Sequence, residues 1–270
     1  MDQDDRVYQL PADHDQQVAQ FTRWMLIGIF ALILILGSLI WFADRLLQQV
    51  PFAAERDFVA PYIEIYHSQR DLSVEEVKTE RYLQDLADGL AKRMNIPNDI
   101  TVDVHLIDSD DMNAFATLGG NIFVLQGLID AMPDENSLSM VLAHELGHIK
   151  HRDPIVSISR GLAFQVAYSF IAGDGSLVLS TGSELGMLFF SREQEREADK
   201  IALVTLQNYY GHVAGATTFF EQALIIEKEA SEEAPEWMHS HPKLQNRIDQ
   251  LNADIEENFW VRGKAQPLEL

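Results

Sequence analysis

The stretch VLAHELGHIKHRDP, residues Val141 to Pro154, decides how the rest of the chain is read. At about 100° per residue on a helix, His144 and His148 stand about 40° apart and one turn removed from each other, so both imidazoles reach a single ion. Glu145 falls beside them, about 60° from His148, where it can touch a water held by that ion without being a ligand. Leu138, Val141, Leu142 and Ile149 form an apolar arc that buries the helix behind the site. Gly147 leaves backbone room close to the ion. The helix is expected to start near Asp134, just after Pro133, and to run through Lys150 until Asp153-Pro154 breaks it.

An HExxH string also arises by chance on surface helices, so a second signal is needed. A catalytic zinc takes three protein ligands and keeps one position open. The metzincin arrangement requires Gly at position 151 and His at position 154, and this chain has His151 and Pro154. Glu195 is the better third ligand. It lies downstream within Glu195-Arg196-Glu197-Ala198-Asp199, on a helix opened by a capping box of Ser191 and Gln194. Asp199, one turn on along the same face, suits a carboxylate that accepts N–H from a ligating histidine and fixes its tautomer. Glu193 and Glu197 support the plainer reading of a solvated charged helix, which the upstream HELGH outweighs.

Composition narrows the classes. Hydrophobic residues make up 47% of 270, enough for a proper core. Lys and Arg total 20 against 42 Asp and Glu, a formal charge of −22 that disfavours nucleic acid and anionic membrane surfaces. The chain has no cysteine, which excludes thiolate ligands, disulfides and a cysteine nucleophile. Trp24 to Ala43 is uncharged and about the length a helix needs to cross a bilayer core of about 30 Å. Trp24 and Trp41 sit near its ends, and Arg23 and Arg45 bracket it. The preceding residues are acidic, unlike a signal peptide or a mitochondrial presequence. Arg23 on one side faces Arg45 and Arg56 on the other, too even a balance to set orientation.

The chain therefore divides into an acidic N-terminal tail (1–23), a transmembrane helix (24–43), a juxtamembrane connection (44–71), a metallopeptidase domain (72–257) and a C-terminal tail (258–270). Within the domain, Ser73 and Glu76 form a capping box, and Leu83, Leu86, Leu90 and Met94 recur at helical spacing until Asn95 and Pro97. Ile100, Val102, Val104 and Leu106 alternate with Thr101, Asp103 and His105, the period of a half-buried strand whose polar face carries His105. Gly119-Gly120 between apolar flanks signals a hairpin over Phe115 to Val124. Ile155 to Phe190 reads as buried helices, with a membrane-dipping hairpin as the alternative. The last helix shows Leu244, Ile248, Leu251 and Ile255 on one face. The expected fold is α+β: a helix-rich, zincin-like domain with a small sheet.

HELGH, then SREQEREAD, then SHPKLQNRI resembles the HtpX and BepA type of zinc metallopeptidases, relatives of the CAAX prenyl proteases, over roughly Asp71 to Glu257. The resemblance implies one zinc ion per chain held by His144, His148 and Glu195, with Glu145 as general base and Asp199 supporting the ligands. The family's His-Pro element falls on His241 and Pro242, and its following arginine on Arg247. HtpX itself has several membrane spans where this chain has one, and the helical repeats that follow the BepA catalytic domain are not seen here. Those departures bear on substrate rather than chemistry. By the same analogy the chain sits in the bacterial inner membrane as a single-pass protein with its catalytic domain in the periplasm.

His241 reads either as a group that stabilises the transition state or shuts the open zinc position, or as a loop histidine capping the final helix. His239 in the same loop carries the weaker case. His151 reads as surface, and His14, His67, His105 and His212 as structural or exposed. The hairpin around Asn113 to Val124 offers an edge strand for an extended substrate. The function these features point to is zinc-dependent endopeptidase action on polypeptides, with misfolded or damaged membrane and envelope proteins as substrates. The competing reading is a membrane-tethered chaperone-like or binding module that keeps zinc as structure.

Overall fold

The computed structural model describes residues 14–158, 190–229 and 244–269. Helix α1, His14–Leu47, extends beyond both ends of the expected span. Phe21, Trp24, Phe30, Ile33 and Trp41 face outward with no cover from the described residues. The part from Gln16 to Ile35 is long and apolar enough to cross a membrane.

The stretch read as a connection contains a second helix, α2, Phe52–Ser68, with Pro61 in its interior. It buries Phe52, Glu55 and Val59. Glu55 accepts from Arg152 Nε at 2.8 Å and from the Gly119 N–H at 3.3 Å, so one buried carboxylate ties α2 to two other elements. Helix α3, Val74–Met94, starts at the expected Ser73–Glu76 capping box and stops where Asn95 turns left-handed at φ 56°. Its Leu83, Leu86, Leu90 and Met94 enter the main core.

Strands β1 (Asp103–Ile107), β2 (Ala114–Ala116) and β3 (Asn121–Leu125) form one sheet in the order β1-β3-β2. β1 runs parallel to β3, and β2 pairs antiparallel with it, Ala114 opposite Val124 and Ala116 opposite Ile122. A 3-10 turn, Leu118–Gly120, closes the hairpin, with Gly119 and Gly120 both at positive φ. A Cβ on Gly120 would lie 2.0 Å from the Thr101 carbonyl oxygen, so only glycine fits there. The expected polar face of β1 is corrected: His105 is 4% exposed. Helix α2 covers that face, and the rings of Tyr66, His67 and Phe123 surround the imidazole. Alternation in sequence marks two faces, and here both are covered.

After a short helix α4, Gln126–Ala131, comes α5, Glu135–His151, which carries the HELGH run. Asp134 caps it by accepting the Ser137 N–H at 2.8 Å, and Arg152 ends it in the left-handed region at φ 61°. The chain turns helical again from residue 153, so Pro154 opens a new helical segment, where its missing N–H costs nothing. Helices α6 (Arg192–Tyr210), α7 (Thr218–Glu229) and α8 (Leu244–Glu257) complete the described core. Gly147 has a different purpose from the one expected. A Cβ there would sit 2.8 Å from Ile201 Cγ2 and 3.2 Å from Ala198 Cα, so α5 and α6 approach closely at this point. Residues 258–269 are tied down rather than loose: the Val213 N–H donates to Val261 O at 3.0 Å, Glu135 N–H to Gln266 O at 3.0 Å, and Gln266 N–H to Asn136 Oδ1 at 2.7 Å. The membrane-dipping alternative, which turns on residues 159–189, and the His239, His241 and Pro242 assignments lie outside the described residues.

Candidate metal centre

Helix α5 projects His144 and His148 toward Glu195 on the first turn of α6, and all three are buried. The two histidine Nε2 atoms lie 3.1 Å apart. His148 Nε2 is 3.4 Å from Glu195 Oε1, and His144 Nε2 is 3.6 Å from Glu195 Oε2. Ligands on a tetrahedral ion at bonds of about 2.0–2.1 Å stand about 3.3 Å from one another. The three donors therefore fit one small cation, with a fourth position uncommitted among the described residues.

Each histidine is held through its other nitrogen. His144 Nδ1 lies 2.9 Å from Asp199 Oδ1, and His148 Nδ1 lies 2.9 Å from Asp153 Oδ2. A carboxylate on Nδ1 keeps the proton there and leaves Nε2 as the lone-pair donor. Asp153 is in turn held by the Gln194 side chain, whose Nε2 donates to Oδ1 at 2.7 Å while its Oε1 accepts the Ser191 N–H at 2.8 Å in the capping box. The Phe190 ring stacks on His148 at 3.9 Å between centroids.

Arg247 of α8 is buried and clamps the other side. Its Nε and Nη2 donate to the two oxygens of Asp199 at 2.8 and 2.6 Å, and Nη1 lies 2.9 Å from Glu195 Oε2. The Phe220 ring sits under the guanidinium, 4.5 Å from its carbon. Glu145 Oε2 accepts the backbone N–H of Ala116 at 2.7 Å, which joins it to the sheet edge. The Thr117 N–H bonds to Asn121 O and the Leu125 N–H to Asn113 O, so the alternate residues Ala114 and Ala116 turn their backbone groups away from β3. Among the described residues β2 is thus the outer strand of the sheet, and the outward N–H of its Ala116 is the one that meets Glu145.

Electrostatics separate the two histidines. Burial pushes the His144 pKa down, and the positive charge of Arg247 adds to this. Burial also works against a charged His148, but the hydrogen bonds its ring donates to Asp153 and Glu195 outweigh it and lift the value to about 10. For Asp199, burial favours the neutral acid, yet Arg247 and His144 prevail and hold it below the ordinary carboxylate range.

Of the residues singled out in the sequence, His144, Glu145, His148, Glu195, Asp199 and Arg247 converge on one point, and His241 lies outside the described residues. His151 is half-buried at the end of α5. His212 accepts the Ala214 N–H at 3.3 Å, away from the donors. Asp153 and Phe190 were not singled out. The signal for Asp153 is its place one residue past the α5 cap, where the left-handed Arg152 folds the chain back toward His148.

The sequence model described as peptidase family M48 matches residues 77–255. The mitochondrial metalloendopeptidase OMA1 of Danio rerio is 28% identical over 97% of this chain and 61% of its own length. The mitochondrial metalloendopeptidase OMA1 of Homo sapiens is 29% identical over 59% of the chain and 33% of its own. The beta-barrel assembly-enhancing protease of Escherichia coli (strain K12) is 28% identical over 53% of the chain and 32% of its own. The chain thus spans 61% of the length of the first of these and about a third of the other two.

Proposed function

Because the chain belongs to peptidase family M48, we propose that it is a zinc-dependent endopeptidase, held to a membrane by α1 and acting on extended segments of polypeptide. The observation that carries this reading is the buried His144–His148–Glu195 donor triangle with Glu145 beside it, bonded to the outer strand of the sheet. The donor set of two imidazoles and a carboxylate is the chemistry zinc takes in catalytic sites.

Zinc bound there supplies Lewis-acid polarisation of a carbonyl and brings the pKa of a water toward about 7. Glu145 accepts the proton of the attacking water on its carboxylate and returns it to the departing amine. The Ala116 N–H aims that carboxylate. Asp199 and Asp153 hold His144 and His148 in the Nδ1–H tautomer, and Arg247 fixes Asp199 and offsets the charge of Glu195. The substrate backbone pairs with the outward N–H and C=O of Ala114 and the outward C=O of Ala116 as an added strand. His241 is assigned to stabilising the transition state or to closing the open position until substrate arrives.

For substrates we assign misfolded or damaged membrane and envelope proteins, and for location the bacterial inner membrane with the catalytic domain in the periplasm. The exposed apolar face of α1 and the name of the Escherichia coli relative, which refers to β-barrel assembly, favour this. The test is cleavage of casein by the purified full chain. Activity lost to a chelator and restored by zinc is expected. Cleavage indifferent to the chelator, or none with zinc bound, would overturn the reading.

A further inference from the structure

One exposed side of α2 carries a second apolar feature. Phe58, Tyr62 and Ile65 are 59%, 42% and 55% exposed. At 100° per residue they fall within an arc of about 60°, and Ala54 and Pro61 widen it to about 100°, the width of a stripe that a helix lays against an apolar partner. Asp57 and Glu64 lie together on one flank of this stripe, both exposed. The neighbouring face, about 100° further round the helix, carries Phe52, Glu55 and Val59 and is buried against the domain. Nothing among the described residues covers the stripe.

Its position indicates the occupant. α1 ends at Leu47 and α2 begins at Phe52, so the two are joined by a link that can span no more than about 17 Å. Trp41, with the Arg45 guanidinium over its ring at 5.2 Å, marks the end of α1 as an interfacial level. The link is also pinned to the domain, since Arg152 Nη2 donates to Val50 O at 2.8 Å. The stripe of two aromatics and an isoleucine starts at Phe58, 11 residues after the end of α1, near enough for the bilayer that α1 enters to reach it. With a formal charge of −22, the chain suits a zwitterionic bilayer rather than an anionic one.

We propose that α2 lies in the interface of a zwitterionic phospholipid bilayer, with Phe58, Tyr62 and Ile65 inserted among the headgroups and upper acyl chains. This rests on the reading of α1 as a membrane anchor. The consequence reaches the metal centre. The buried face of α2 holds the β2–β3 turn through the Gly119 N–H and the end of α5 through Arg152, so a docked α2 orients the cleft toward segments emerging from the same membrane.

Because the chain has no cysteine, single cysteines report each position without background. F58C, Y62C and I65C on the stripe, D57C and E64C on the flank, and I33C in α1 are each introduced into the full chain and spin-labelled. The protein is reconstituted in phosphatidylcholine nanodiscs, and collisions with oxygen and with a water-soluble nickel complex are measured. Labels at 58, 62 and 65 should show an oxygen-to-nickel ratio several-fold above those at 57 and 64 and approaching that of I33C. Equal ratios at all five α2 positions, with I33C in lipid, would overturn the docking alone. Labels on the stripe shielded from both reagents would mean protein covers it, which also overturns the proposal. A water-exposed I33C would remove the anchor and, with it, the basis of both readings.

Discussion

Replacing Gly147 by alanine puts two effects of opposite sign in competition. Within a helix the change ordinarily stabilises by about 0.8–1 kcal/mol, because glycine loses more backbone freedom. At this position the new Cβ would lie 2.8 Å from Ile201 Cγ2 and 3.2 Å from Ala198 Cα. Carbon atoms settle at about 3.5–4.0 Å, so α6 must retreat by about 0.7 Å or Ile201 must leave its rotamer. Ile201 is β-branched and Ala198 Cα is backbone, so neither yields easily. Overpacking of this kind costs about 1–3 kcal/mol and exceeds the propensity gain. The expected net loss is up to about 2 kcal/mol, a fall of up to about 8 °C in Tm for a domain of this size. Because α6 carries Glu195, the retreat also lengthens the donor separations of 3.4 and 3.6 Å that now suit one ion. Zinc affinity should fall about tenfold or more, as for lost support around a metal ligand. Thermal unfolding in chelator, followed by competition for zinc with a chromophoric chelator, measures both. A Tm at or above that of the unaltered chain with unchanged zinc affinity would refute the claim that Gly147 sets the α5–α6 distance.

Three further outcomes are expected. Asp153→Asn keeps the shape of the side chain but removes the charge that orients His148, and should weaken zinc binding by about 10–100-fold, read by the same competition; the fold should persist in circular dichroism. In the metal-free protein, His148, lifted to about 10 against the pull of burial, holds its proton more tightly when folded than when unfolded, where it titrates near 6.5. Its contribution to stability is therefore complete below about pH 6.5 and lost as the pH rises toward 10, so the denaturant midpoint of chelated protein should fall across that window and do so less in His148→Gln. Ala116→Pro removes the N–H that aims Glu145; a lost hydrogen bond to a charged group is worth about 1.5–3 kcal/mol, so casein cleavage should drop at least tenfold with zinc content intact.

The parts of this molecule that local chemistry dictates were legible in the sequence. Ser73 and Ser191 cap their helices through groups three residues away, and the i, i+4 spacing of His144 and His148 is a property of any helix. Glu195 and Asp199 followed because they repeat that spacing on a second capped helix. What escaped depends on contacts between distant segments. The stretch 44–71, expected to be a connection, holds α2, with Pro51 just before the helix and Pro61 carried inside it. His105 sits on the polar half of an alternating strand and is buried only because α2 folds over that face. Asp153 looked like part of a helix stop, and the left-handed turn at Arg152 brings it back to His148. Gly147 is explained by Ala198 and Ile201, which press against it from another helix.

The central claim is that Glu145 moves the proton while His144, His148 and Glu195 hold the metal. Zinc stoichiometry and casein cleavage measured side by side on the full chain and on Glu145→Gln test it most directly. The account predicts one zinc per chain in both proteins and no turnover in the variant. A Glu145→Gln protein that cleaves as well as the unaltered chain would contradict it.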